Sequence, residues 1–206
     1  MKKLIALACL CFAGSTYAQF KLPAKFSGKQ SEKQTEKKLT PSIKTDIEKV
    51  SRDLYQSFNN IKGDTLRYSP SVIAFESKII PVGAKDCIIL KHPYPNAYSW
   101  QGTMFETESF DEAVAKYKSY YRQLVGSSIT FYDNTNYKLI GEYDTPDEGR
   151  TFASSVLKLD DPGVHVKSFK IEIGLNYSFP DWTIAISVYE KLANEDLRPS
   201  NQIRIY

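Results

Sequence analysis

The stretch Trp182-Thr183-Ile184-Ala185-Ile186-Ser187-Val188-Tyr189-Glu190 decides the fold class. Trp182, Ile184, Ile186 and Val188 alternate with Thr183, Ala185, Ser187 and Tyr189, a period of two that gives a β-strand one greasy face and one mixed face. Phe169, Ile171, Ile173 and Leu175 repeat the pattern, with Lys170 and Glu172 opposite. Such strands imply an antiparallel sheet with one face covered and the other partly wet.

Upstream, further strands are expected over 72–80, 86–91 and 98–106, parted by Pro81-Val82-Gly83 and by His92-Pro93-Tyr94-Pro95-Asn96, and later over 128–133, 137–143, 152–159 and 166–175. Two helices break the series. Ile43, Ile47, Val50, Leu54, Phe58 and Ile61 recur every three or four residues after Thr40-Pro41, an N-cap followed by the first helical position, and Gly63 reads as the closing cap. The polar face of this helix, including Arg52 and Asp53, is expected to meet water. The second helix opens on the capping box Ser109/Glu112 and closes at Gly126, with Phe110, Ala113, Val114, Tyr117, Tyr121 and Leu124 on its apolar stripe and Glu112 paired with Lys116. The expected fold is therefore α+β, two amphipathic helices on one face of a mainly antiparallel sheet of seven to eight strands. Residues 40–206 form one domain, divisible into similar helix-plus-strands halves, 40–107 and 108–192.

The N-terminal region carries an address. Lys2 and Lys3 precede an apolar run from Leu4 to Ala13 and the small-residue site Thr16-Tyr17-Ala18, the pattern of a secretory signal peptide, 1–18, cleaved near Ala18. This start and the Ala-Gln junction resemble exported proteins of Gram-negative bacteria of the Bacteroidota type, which implies a periplasmic or secreted product and no particular activity. No later stretch is apolar enough to span a bilayer, so the mature chain is expected to lack a transmembrane segment. Residues 19–39 read as a flexible basic linker, with no apolar residue from Ser27 to Lys38.

Composition narrows the chemistry. The chain has 206 residues, 42% hydrophobic and 25% charged, enough for one ordinary core. Residues 21–49 carry eight Lys against four acids, whereas 50–206 carry 17 basic and 20 acidic residues. The folded part thus lacks the basic stripe that nucleic-acid binding requires. Loss of the leader removes Cys9 and Cys11 and leaves Cys87 alone, without a possible internal disulfide.

Cys87 would need a base to act as a nucleophile, and His92, five residues on in the same strand, points to the opposite face. Among Ile88, Ile89 and Leu90 it reads as a small core residue. Asp160-Asp161 with His165, and Asp144-Thr145-Pro146-Asp147-Glu148-Gly149-Arg150, read as turns and not as zinc or calcium sites. No catalytic residue, metal ligand or cofactor is assigned, and no Gly-x-Ser-x-Gly, Walker or dinucleotide motif occurs. The segment 93–105 stands out for aromatics on a rigid loop, so Tyr94, Tyr98 and Trp100 are the candidate ligand-binding residues, with Tyr120, Tyr132, Tyr137 and Tyr143 as extensions. Against this, Tyr98, Trp100 and Met104 have the spacing of a strand's inward face. The expected function is a non-catalytic binding or interaction domain in the bacterial envelope, with an envelope protein, peptide or glycan as partner. The alternative is a small envelope enzyme, a thiol-dependent or carboxylate-based hydrolase.

Overall fold

A computed structural model describes residues 42–93 and 96–191. The signal peptide, the linker, the Thr40-Pro41 cap and Tyr94 lie outside the described residues.

The element order is α1 (Lys44–Leu54), β1 (Lys62–Tyr68), β2 (Ile73–Ser77), β3 (Asp86–His92), β4 (Ala97–Thr107), α2 (Phe110–Leu124), β5 (Ser128–Thr130), β6 (Asn136–Ile140), β7 (Phe152–Leu159), β8 (Phe169–Ser178) and β9 (Asp181–Glu190), with one 3-10 turn at Val164–Val166. The strands form one antiparallel sheet of nine, ordered β1-β2-β3-β4-β9-β8-β7-β6-β5. Two consecutive meanders, each preceded by a helix, meet where their last strands, β4 and β9, pair. The fold is α+β as expected, with nine strands in place of seven to eight.

The additional strand is β1, and the reason lies in how α1 ends. All six positions of the apolar stripe are buried, from Ile43 to Ile61. Yet the helix stops at Leu54, and a compact turn carries Phe58 and Ile61 into the core. Asp53 holds that turn. Its backbone carbonyl accepts from the amides of Gln56 (3.0 Å) and Phe58 (2.9 Å), and its carboxylate accepts from the amides of Asn60 (3.1 Å) and Ile61 (3.2 Å) and from the Asn60 side chain. Ser57 and Phe58 take the left-handed backbone (φ 54° and 55°) that reverses the chain. Asp53 is therefore buried and not on a solvated face, and Gly63 lies inside a strand and is not a helix cap.

Helix α2 is bounded as its sequence requires. The Ser109 hydroxyl accepts from the Glu112 amide (3.4 Å), and Gly126 takes a positive φ of 73°. The return half of the box is replaced: Thr107 Oγ1 donates to Glu112 Oε2 (2.8 Å) and accepts from the Ser109 amide (3.2 Å). Lys116 does not pair with Glu112; its ammonium lies 5.3 Å from the Phe105 ring centre.

The main core fills the space between the helices and one sheet face. Ile47, Val50 and Leu54 of α1 and Tyr117 and Leu124 of α2 meet Trp100, Ile173, Ile186 and Val188 of the central strands. Among the described residues no helix is long and apolar enough to cross a membrane.

Candidate functional site

The site follows from the strand register on the sheet face turned away from both helices. Asp86 stands opposite Thr103, and Thr103 opposite Ala185. The next rung is Glu106, Thr183 and Asn176. Thr103 and Glu106 are three residues apart and still share this face, because a β-bulge sets Met104 and Phe105 of β4 against the single Ile184 of β9. The bulge sends Met104 into the core, where its carbonyl accepts from Tyr120 Oη (3.3 Å), and restores the outward direction at Glu106.

These rungs floor a cavity of about 690 Å³, within the size range of small-ligand and peptide sites. Ala185 keeps the floor low, Gln101, Thr103, Thr183 and Asn176 offer amides and hydroxyls, and Leu66 and Ile80 form an apolar wall. Four carboxylates and one ammonium line it. Lys85 pairs with Glu106, which leaves Glu76, Asp86 and Asp181 without an ion-pair partner among the described residues. Further along the same face Glu172 is buried, accepting from Tyr189 Oη (2.9 Å) and Ser154 Oγ (2.5 Å).

Among the described residues, the aromatics singled out by sequence do not share this surface. Trp100 is 0% exposed on the helix side, its indole Nε1 donating to Ser77 Oγ at 2.9 Å. Tyr98, on the same side, is half-buried, with the ammonium groups of Lys62 and Lys91 at 5.4 and 5.6 Å from its ring centre. Tyr120 and Tyr137 are core residues, Tyr143 packs with tilted rings against Tyr117 and Tyr121, and Tyr132 is exposed beside Arg52. The strand's inward face is thus what the spacing of Tyr98, Trp100 and Met104 described.

The reactive groups also fall into structural roles. Cys87 is buried beside Gly102 and Trp100, and burial, with Asp86 adding to it, pushes its thiol up to about 12, which keeps it protonated. His92 is on the opposite face of β3. Asp144 takes two hydrogen bonds from Arg150 (3.0 and 3.1 Å) and one from the Ser154 amide (2.9 Å), which hold its carboxyl below the usual range and fasten the 144–150 loop. His165 meets Asp133 at 3.2 Å on an exposed surface. Among the described residues no three His, Cys, Asp or Glu side chains are placed to hold a metal ion.

The chain matches no protein-family model, no curated protein and no solved structure. The functional reading therefore rests on the groove. Sequence alone does not mark its residues, because they are the polar partners of the alternation. Gln101 and Thr103 sit between Trp100, Gly102 and Met104, and polar residues at alternate strand positions read simply as solvent-facing.

Proposed function

We propose that the chain is an exported, non-catalytic binding domain of the bacterial envelope, and that its ligand, a protein segment, peptide or glycan, lies in the groove across β3, β4, β9 and β8. One observation carries the reading: the cavity is built on the centre of the sheet, floored by Ala185 and lined by hydrogen-bonding side chains with three carboxylates that have no ion-pair partner among the described residues. A preformed concave floor holds a ligand at low ordering cost. Export follows from the N-terminal pattern of Lys2, Lys3 and the apolar run.

Thermal-shift screening of the protein against peptide and glycan libraries tests it, with Thr103→Trp and Thr183→Trp as groove-filling variants checked for native circular dichroism. The reading expects a ligand that raises Tm of the natural protein and leaves both folded variants unmoved. Equal stabilisation of the variants places binding elsewhere.

The same cavity gathers Glu76, Asp86 and Asp181, the groups that the carboxylate-hydrolase reading requires. Turnover of a bound peptide or glycan, lost in Asp86→Asn, would replace binding by catalysis. A thiol enzyme is not proposed, because Cys87 is buried in the core and its thiol is held protonated.

A further inference from the structure

We infer that the groove takes an extended peptide segment that carries basic and apolar side chains together; the inference rests on the groove being the binding site.

Charge sets the first requirement. With Glu106 satisfied by Lys85, the cavity retains Glu76, Asp86 and Asp181, a local excess of three negative charges over a floor of protein. Charges facing a low-dielectric floor act on a ligand more strongly than the same charges in open water. An ammonium or guanidinium entering the groove relieves their mutual repulsion, and a phosphate or carboxylate adds to it.

The mouth sets the second. Ile80 (60% exposed) and Val82 (64%) lie on the β2–β3 connection, and Phe179 (86%) on the β8–β9 connection. The topology brings both connections to the end of the sheet where β4 finishes: the Lys85 amide donates to the Thr103 carbonyl (2.8 Å), and Trp182 pairs with both Thr107 and Tyr177. Ile80 from one side and Ser178 and Asp181 from the other line the same cavity. Large apolar side chains left in water at the mouth of an acidic cavity stand where a partner's apolar groups contact them.

The floor distinguishes peptide from glycan. No aromatic ring is among the described residues that line the cavity, so a flat sugar face finds no stacking partner there. The amide of Gln101 and the hydroxyls of Thr103 and Thr183 each donate and accept, matching the alternating N–H and C=O groups of an extended chain.

The test is selection of random ten-residue peptides displayed on phage against the full exported chain, with recovered peptides synthesised and titrated onto the natural protein, Asp86→Asn/Asp181→Asn and Thr103→Trp. The inference expects recovered peptides enriched in Lys or Arg beside aliphatic residues, bound at least about fivefold more weakly by the doubly neutralised variant, with affinity falling as salt rises. Peptides that lose binding to Thr103→Trp yet are neutral or acidic and indifferent to the neutralised carboxylates overturn the inference and leave the groove as the site. Failure to recover any peptide overturns the inference and leaves the groove to a glycan, whereas recovery of peptides that bind folded Thr103→Trp as well as the natural protein overturns both.

Discussion

The Trp100 indole lies across Gly102: a Cβ at position 102 would fall 2.7 Å from Trp100 Cη2 and 3.0 Å from Cys87 Sγ. Gly102 pairs with Ile186 at the centre of the sheet, so neither strand has freedom to yield. Gly102→Ala is expected to destabilise the protein by about 1–3 kcal/mol through overpacking. Urea unfolding followed by tryptophan fluorescence measures it, and an unchanged midpoint would show that the indole moves aside.

Trp100 and Tyr98 are two residues apart on one face of β4 and differ in what surrounds them. Trp100 is fully enclosed, and Trp100→Ala is expected to cost roughly 3–5 kcal/mol. Tyr98 is half-buried under two lysine side chains, and Tyr98→Ala is expected to cost about 1–2 kcal/mol. Thermal unfolding of the two variants side by side checks the order, and equal losses would contradict the assigned environments.

Removal of the Asp53 carboxylate leaves the amides of Asn60 and Ile61 without their acceptor at the point where α1 turns into β1. Asp53→Ala is expected to destabilise by about 2–3 kcal/mol and Asp53→Asn by less, since one acceptor remains. Amide hydrogen exchange at Asn60 and Ile61 reports the local part of that loss.

The Cys87 thiol is raised from its ordinary value near 9 to about 12 by burial, so the folded protein holds a proton that the unfolded chain releases. This group's contribution to stability is complete below pH 9 and is lost as pH rises from 9 towards 12, at up to about 1.4 kcal/mol per pH unit. Cys87→Ala is expected to flatten the alkaline decline of stability in urea unfolding at pH 8 to 10. At pH 8 a thiol-specific chromogenic reagent should label the natural protein only as fast as it unfolds; rapid labelling of the native state would restore the thiol-enzyme reading.

The sheet was legible wherever alternation was strict, as in β8 and β9, and α2 was legible because its stripe, Ser109 and Gly126 all agree. The end of α1 was not. Phe58 and Ile61 satisfy helical spacing equally well in a helix and in a turn pinned by Asp53, and only the backbone hydrogen bonds tell the two apart. Strand β1 was hidden for the same reason, its Gly63 mimicking a helix cap at the edge of the sheet. The groove was hidden by topology. Thr103 and Thr183 belong to strands far apart in sequence, and the bulge that turns Thr103 and Glu106 to one face breaks the simple alternation. Trp100 is a large aromatic beside a proline-rich turn, a setting in which sequence does not separate a binding anchor from a core side chain.

The central claim is that the helix-free face of the sheet is where this protein meets its ligand. Photo-crosslinking from benzoylphenylalanine at Ile80, exposed on the groove wall, and at Glu48, on the α1 surface, in cells that express the protein tests it most directly. The account predicts a discrete, saturable adduct from position 80 and none from position 48. No adduct from 80, or the same adduct from both positions, would contradict it.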